Sequence, residues 1–175
     1  MEHIISTAEL PKVIKNLKCG DTVFLSGTVY TARDAAHKKL VELINNNKPL
    51  PFPLKNSIIY YAGPTETPKG LAIGSCGPTT SKRMDGFAPL LYDCGVIATI
   101  GKGERSKEVI NSIIKNCSIY LCAVGGAGAI AAKHIIKNEV IAFNELGCES
   151  IKKLEFKDFP LIVGIDCFGN NIFEK

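Results

Sequence analysis

Three short polar turns carry most of the side chains that could do chemistry. They are 31–37 (TARDAAH), 77–85 (GPTTSKRMD) and 101–103 (GKG), and each follows an apolar run typical of a β-strand. In open α/β sheets, ligands bind at the carboxyl ends of the strands. We therefore expect the three turns to converge on one pocket.

Arginine is rare in this chain, which makes its positions informative. Of the 21 basic residues, three are arginines, and two of these, Arg33 and Arg83, lie in the polar turns. A guanidinium has a planar fork of N–H donors that matches a carboxylate or a phosphate. The alternative is an ordinary salt bridge, for Arg33 with a nearby acid and for Arg83 with Asp85 or another helix residue. Residue type alone leaves both interpretations open.

Hydroxyl side chains cluster in the second turn. Thr79, Thr80 and Ser81 precede an apolar spacing that predicts a helix. Unpaired backbone amides and the helix dipole at such a start favour an anionic ligand. The alternative is simple N-capping of that helix.

Lys102 and His37 complete the candidate residues. Lys102 stands between two glycines, so its ammonium can reach into a site, or it can be an exposed turn lysine. His37 follows Arg33 by four residues and shares its helix face. It can orient a substrate or transfer a proton, or it can be a hydrogen-bonded structural group.

The elements that must position these turns alternate between strand and helix through the middle of the chain. Apolar runs and turn signals predict strands at 22–26, 57–62, 71–75, 96–100, 119–124, 140–144, 151–156 and 161–165. Helical spacing predicts helices after an N-cap at Thr31, from about Met84, after an N-cap at Ser106 and up to about Lys133. We predict an α/β fold with a mixed central sheet and additional β strands.

Composition narrows the class of protein. A chain of 175 residues with 46% hydrophobic content can build one compact core, so we expect a single domain over 1–175. The net charge of +4 comes from dispersed lysines, which argues against nucleic-acid binding. The longest uncharged apolar run, 119–132, is too short and too glycine-rich to span a bilayer. The first ten residues lack a signal-peptide pattern, so we expect a cytoplasmic protein.

The seven cysteines indicate free thiols in a reducing compartment. Their number is odd, their spacing is irregular and no C-x-x-C pair occurs. Cys117 and Cys122 fall on a predicted strand at an odd offset, which would point them to opposite faces. We predict buried structural cysteines and no metal ligand in this chain.

One glycine-rich turn imitates a dinucleotide-binding motif. The sequence 126–131 (GAGAIA) follows a predicted strand and opens a helix, with Glu145 about twenty residues later. Its late position in the chain and the short helix favour close packing of small residues instead.

The three polar turns, together with Val124-Gly125-Gly126, resemble the β subunit, or C-terminal domain, of class I iron–sulfur fumarate hydratases and tartrate dehydratases. The similarity extends from about Leu17 to Asp166. It implies a swivelling β/β/α domain that completes an active site with an α subunit, whose cysteines hold a [4Fe–4S] cluster. It also implies lyase chemistry, the reversible hydration of fumarate to L-malate.

The resemblance assigns roles residue by residue. Arg33, Arg83 and Lys102 would hold the two substrate carboxylates, and Thr79 would act at the proton-transfer position. A separate group, expected to fix the turns, consists of Asp34, His37, Thr80 and Asp85. Lys82 stands where many relatives have a small residue.

The resemblance also implies an assembly, a homodimer alone and a heterotetramer with the α subunit. Tartrate or mesaconate chemistry is the alternative within this class, since these substrates differ by one hydroxyl or methyl group. A domain that binds anions for regulation, without catalysis, is the alternative outside it.

Overall fold

A computed structural model of the chain describes residues 1–124 and 128–174. The strands are β1 (Glu2–Ser6), β2 (Thr22–Thr31), β3 (Ile58–Tyr60), β4 (Ala98–Gly101), β5 (Ile119–Cys122), β6 (Ile135–Ala142) and β7 (Ile151–Ile165). The α-helices are α1 (Leu10–Val13), α2 (Asp34–Asn45), α3 (Ala88–Asp93), α4 (Lys107–Asn116) and α5 (Gly128–Ala132). Short 3-10 turns occupy Ile14–Asn16, Ser81–Met84 and Asn144–Glu149.

The strands form one mixed sheet that closes on itself. Their order is β1-β2-β3-β4-β5-β7-β6, and β2 also pairs with β7, so β2, β3, β4, β5 and β7 form a closed ring. Strands β2 to β5 are parallel to their neighbours, whereas β7 is antiparallel to both β2 and β5. Because β2 to β5 run in the same direction, their carboxyl ends lie along one rim of the ring. The predicted α/β class with a mixed sheet is confirmed.

Two apolar cores lie on opposite faces of the ring strands. In β3, Ile58 and Tyr60 belong to one core and Ile59 to the other, as expected from the alternation of side chains along a strand. The second core also contains Leu40 of α2 and Val109 of α4. The helices that follow β2 and β4 are thereby packed on one face of the sheet, which fixes the positions of their first turns.

Strand β2 is longer than predicted. The sequence pattern ended this strand at Gly27, but the strand continues to Thr31 through a shift in its pairing with β7 between Leu25 and Gly27. Gly27 has φ +122°, and a side chain there would clash with Thr7. The glycine therefore marks a bulge inside the strand. In the sequence, a glycine at a bulge looks the same as a glycine that ends a strand in a turn.

Several other predicted boundaries are wrong for local reasons. Residues 71–75 form no strand, and α2 begins at Asp34 with Arg33 in the N-cap position, so Thr31 is not the cap. The helix expected from Met84 is divided into a 3-10 turn and α3. Strand β6 begins earlier than predicted, at Ile135, and the two predicted C-terminal strands are one strand, β7.

The cysteine and glycine patterns also need correction in part. Cys117 is not on a strand, because it ends α4 in the left-handed conformation. All seven cysteines are free thiols, but only Cys76 and Cys167 are buried and Cys148 is exposed, so the prediction of buried cysteines is wrong for most of them. Residues 125–127 lie outside the described part, but Gly128 packs on Gly77 so closely that a side chain at Gly128 would clash with Ser75. This contact supports the packing interpretation of the glycine-rich turn.

No helix within residues 1–124 and 128–174 is long and apolar enough to cross a membrane.

Candidate active site

The three polar turns lie side by side along the rim of the ring. Ala32 N donates to Tyr60 O (3.1 Å), Tyr61 N donates to Ile100 O (2.8 Å) and Ala123 N donates to Gly101 O (2.9 Å), so the pairing of β2 to β5 continues past the strand ends. The turn at 77–85 joins the rim through Thr79 N to Tyr61 O (2.6 Å) and Ser81 N to Lys102 O (2.9 Å). The three turns are therefore neighbours on one rim, as the sequence predicted, whereas a shared pocket between them stays a prediction.

Arg83 forms an ion pair with Asp34, the first residue of α2. Its Nε donates to Asp34 Oδ1 (3.2 Å), and its Nη2 lies 2.9 Å from Oδ2. The partner is therefore neither Asp85 nor a residue of its own helix. About half of the Arg83 side chain, 52%, remains exposed. The single hydrogen bond and the close charge contact hold one edge of the guanidinium, and Asp34 Oδ2 accepts no hydrogen bond among the described residues.

Arg33 lies deeper in the rim than Arg83. Its side chain is 24% exposed and passes Gly63, where an added Cβ would lie 3.0 Å from Arg33 Cδ and Nη1. Its Nε is buried and has no hydrogen-bond partner among the described residues. The nearest carboxylate is that of Glu149, whose Oε1 lies 3.9 Å from Nε. Gly63 thus leaves the space that the arginine fills.

The third arginine, Arg105, is buried under the rim. Its side chain is fully excluded from solvent and donates to Asp85 Oδ1 (2.7 Å), Thr99 Oγ1 (3.0 Å) and Tyr61 OH (3.2 Å). The guanidinium carbon lies 4.9 Å from the centre of the Tyr120 ring. Arg105 therefore ties the turn at 77–85 to β4 and to the residues that follow β3. Arg105 lies outside the three polar turns. The rarity of arginine is the only feature of the sequence that could have indicated its importance.

Asp85 and Ser81 complete this anchoring. The second Asp85 oxygen accepts from Ser106 N (2.6 Å), at the N-cap of α4. Tyr120 OH donates to Gly103 O (2.9 Å), so Ser81 Oγ donates to Tyr120 OH (2.9 Å). The expected role of Asp85 in fixing the turns agrees with these contacts.

Thr79, Thr80 and Lys102 stand on adjacent backbone segments at the surface of the rim. Thr80 and Lys102 form a parallel β-bridge, Thr79 and Lys102 are half-buried and Thr80 is exposed. The Thr80 side chain makes no capping hydrogen bond to the 3-10 turn that follows, so the capping alternative is wrong for this residue. Within the described residues, no carboxylate lies within 4.0 Å of the Lys102 ammonium.

His37 is a buried structural group. Its Nδ1 lies 2.8 Å from Arg33 O, and its ring stacks on Phe87 and meets Tyr61 edge to face. Burial lowers the pKa of His37 to about 4. The imidazole is therefore neutral near pH 7, with Nδ1–H donating to the carbonyl of Arg33. This bond holds the first turn of α2, and His37 is not placed as a free base.

The thiols and acids of the described residues do not gather into a metal site. No group of three or more His, Cys, Asp or Glu side chains in this part of the chain is placed to hold a metal ion. Burial raises the pKa of the Cys76 thiol to about 12 and that of Cys122 to about 11. Thiols of this kind are protonated at neutral pH.

The chemical character of the rim is cationic with hydroxyl groups. Three partly exposed cations, Arg33, Arg83 and Lys102, come from neighbouring turns, and Thr79 belongs to the same turn as Arg83. Such a set complements a ligand with two carboxylates.

Comparison with known proteins places the chain in a family. Residues 3–175 match the family described as "Fumarase C-terminus". The chain is similar to "Fumarate hydratase 2" of Leishmania major, with 46% identity over 89% of this chain and 28% of the relative. It is also similar to "Fumarate hydratase class I, anaerobic" of Escherichia coli K12, with 44% identity over 86% of this chain and 28% of the relative. For "L(+)-tartrate dehydratase subunit beta" of Escherichia coli K12, the identity is 33% over 100% of this chain and 88% of the relative.

The fold and the rim thus define an α/β domain with a cationic edge, and the chain belongs to the Fumarase C-terminus family. It is homologous to class I fumarate hydratases and to tartrate dehydratase β subunits. It spans about 28% of the length of the fumarate hydratases that it matches.

The buried ion pair under the rim leads to a stability prediction. Replacing Asp85→Asn leaves Arg105 buried without its counter-charge, and breaking such a pair costs about 3 kcal/mol or more. Chemical denaturation measures the loss in the free energy of unfolding. The matched control, Asp93→Asn, removes an exposed partner of Lys115 and costs about 1 kcal/mol or less. Equal losses for the two variants would contradict the anchoring role of Arg105 and Asp85.

The pKa of His37 leads to a prediction about pH. Between about pH 6.5 and pH 4 the unfolded chain binds a proton at His37 that the folded chain does not, so stability falls as the pH falls. The contribution over this range is about 3 kcal/mol. His37→Asn keeps an N–H donor for Arg33 O but does not titrate. Denaturation at several pH values should show that the free energy of unfolding falls less steeply with falling pH in the variant. If this free energy has the same pH dependence in both proteins, His37 does not have the lowered pKa.

Proposed function

We propose that this chain is the β subunit of a two-subunit hydro-lyase that interconverts fumarate and L-malate. The observation that carries the proposal is the row of three cations on adjacent turns of one rim, in a member of this family. A C4 dicarboxylate carries two negative charges, and these cations offer a partner to each of them. The names of the homologous fumarate hydratases agree with this substrate class.

The second part of the proposal is a partner chain. The fumarate hydratases that match are more than three times as long as the matched segment, and the tartrate dehydratase relative is named a β subunit. We propose that an α subunit supplies the remaining machinery, in a heterotetramer, and that this chain forms a homodimer when alone. The seven free thiols agree with a reducing compartment, and we propose the cytoplasm.

A [4Fe–4S] cluster belongs to the same proposal and is assigned to the partner. The described residues of this chain provide no ligand set for it. When bound, such a cluster supplies a Lewis acid for the hydroxyl group that is lost or gained as water. The domain is proposed to swivel so that its rim faces that centre.

The residues of this chain bind and orient the substrate in this proposal. Arg33 and Arg83 hold carboxylates through their planar donors, and Lys102 adds a point charge. Asp34 restricts Arg83 through one hydrogen bond and an ion pair, which lowers the entropy lost when the substrate binds. Thr80 contributes through its backbone bridge to Lys102, which keeps these two segments in register.

Proton transfer at the substrate is assigned to Thr79. A threonine hydroxyl is a weak base, so it needs positive charge nearby to stabilise its alkoxide. Lys102 stands on the backbone segment next to Thr80 and is assigned to supply this charge, since the charge of Arg83 is paired with Asp34. His37 does not compete for the role because it is buried and bonded to Arg33 O.

A second candidate function is that of an L(+)-tartrate dehydratase β subunit. The specific observation is that the tartrate dehydratase relative is matched over 88% of its length, whereas the fumarate hydratases are matched over 28%. Both candidates use the same cations, because both substrates are dicarboxylates.

The test is a reconstitution under anaerobic conditions. This chain is combined with its α subunit and a loaded cluster, and fumarate absorbance is followed after L-malate is added, with each chain alone as a control. We expect turnover by the complex only. Arg83→Ala and Lys102→Ala should each lower kcat/KM about 100-fold, because each substitution removes one charged hydrogen bond to the substrate.

The matched control for these variants is Lys82→Ala. Lys82 adjoins Arg83 and is exposed, so its loss should change kcat/KM less than about twofold. Turnover of L(+)-tartrate but not L-malate would select the second candidate. No turnover of either substrate by an assembled, cluster-loaded complex would overturn the hydro-lyase proposal and favour an anion-binding domain.

A further inference from the structure

The 3-10 turn Asn144–Glu149 lies against the first turn of α2. Its last residue, Glu149, has one carboxylate oxygen that accepts from Ala35 N (3.4 Å) and lies 3.9 Å from Arg33 Nε. We propose that Glu149 is the positioning residue for Arg33, holding the guanidinium in the orientation that binds a substrate carboxylate. The inference rests on the proposed role of Arg33 as a substrate-binding cation.

The environment of Arg33 supports this assignment. Its Nε is excluded from solvent and has no hydrogen-bond partner among the described residues, so the inner side of the guanidinium faces protein. The acid that follows it in the chain, Asp34, is already engaged by Arg83. Glu149 is therefore the carboxylate that stabilises the inner side of Arg33. The exposed part of the side chain remains available to a ligand.

The segment that carries Glu149 is fastened by a buried lysine. The Lys152 ammonium donates to Ser150 Oγ (2.8 Å), Cys148 O (3.1 Å) and Ser150 O (3.3 Å). These acceptors are neutral, and within the described residues no carboxylate lies within 4.0 Å of the ammonium. Burial lowers the pKa of Lys152. A buried charge of this kind is costly, and here it fixes the backbone on both sides of Glu149.

The same lysine links this segment to the strand that leads to Arg33. Lys152 N donates to Thr31 Oγ1 (3.0 Å), and Thr31 Oγ1 donates to Ser150 O (3.4 Å). Thr31 ends β2, two residues before Arg33. Glu149 and Arg33 are therefore both attached, through short connections, to one contact between β2 and β7. This arrangement keeps their separation constant.

Glu145 provides a matched control within the same turn. It pairs with Lys39 of α2, and its side chain is 60% exposed, compared with 28% for Glu149. Both acids contact a cation near α2, but only Glu149 lies next to an arginine of the rim. We therefore expect Glu149→Gln to change the environment of the Arg33 guanidinium and Glu145→Gln to leave it unchanged.

The first measurement uses the full chain without its partner. Three arginines should give three Nε–Hε signals in a nitrogen-15 NMR spectrum, assigned by Arg33→Lys, Arg83→Lys and Arg105→Lys. Glu149→Gln keeps an oxygen acceptor for Ala35 N, so the start of α2 should stay folded. We expect this variant to shift the Arg33 signal, because it removes the carboxylate charge that lies 3.9 Å from Nε. An unchanged Arg33 signal, or equal effects from Glu145→Gln, would overturn the inference.

The second measurement uses the reconstituted enzyme. Glu149→Gln should raise KM for the dicarboxylate about tenfold while kcat changes less than about threefold, because binding is weakened more than chemistry. In an Arg33→Lys background, the same change should add little. Additive effects of the two substitutions on KM would contradict the inference. If the wild-type complex shows no turnover, the proposed function fails, and the NMR comparison still decides the role of Glu149.

Discussion

The buried pair of Arg105 and Asp85 is the interaction on which the rim depends. A guanidinium with no solvent exposure must have its donors satisfied, and here a carboxylate, a threonine and a tyrosine do so. These partners belong to the turn at 77–85, to β4 and to the residue after β3. One side chain thus links three separate parts of the chain at the point where the strands end. The carboxylate also accepts from the N-cap of α4, so the helix is held by the same contact.

The three arginines of the chain show how one residue type serves different purposes. The Arg105 side chain is fully buried and paired with Asp85, so it anchors the fold. Arg83 uses one edge of its fork on Asp34 and keeps about half of its surface exposed. Arg33 lies between these extremes, with a buried Nε near Glu149. Each of the three arginines thus has a carboxylate within 4.0 Å, whereas Lys102 has none among the described residues.

The sequence was sufficient for the class of fold and for the positions of the main turns. The N-cap at Ser106 is confirmed by Val109 N donating to its hydroxyl (3.3 Å), and strands β3 to β5 follow the apolar runs. Closure of the ring could not be predicted, because β2 and β7 are far apart in the chain and their pairing passes through a bulge at Gly27. Pro160 favoured a break between the predicted strands 151–156 and 161–165, but it lies inside β7 and pairs opposite Phe24.

The candidate residues were predictable where they lie in short motifs. The roles proposed for Arg33, Arg83, Lys102 and Thr79 remain predictions, but the turns that carry them do lie together. Glu149 had no signal in the sequence, because it stands 116 residues after Arg33 and its neighbours resemble an ordinary surface turn. Contacts of this kind are set by the closure of the sheet, which brings the start of β7 next to the end of β2.

The most direct test is a crystal structure of the reconstituted complex with L-malate bound. We expect carboxylate oxygens within about 3 Å of the guanidinium or ammonium nitrogens of Arg33, Arg83 and Lys102. We also expect Arg105 and Asp85 to stay paired beneath them. A dicarboxylate bound in the complex with none of the three rim cations in contact would contradict this expectation.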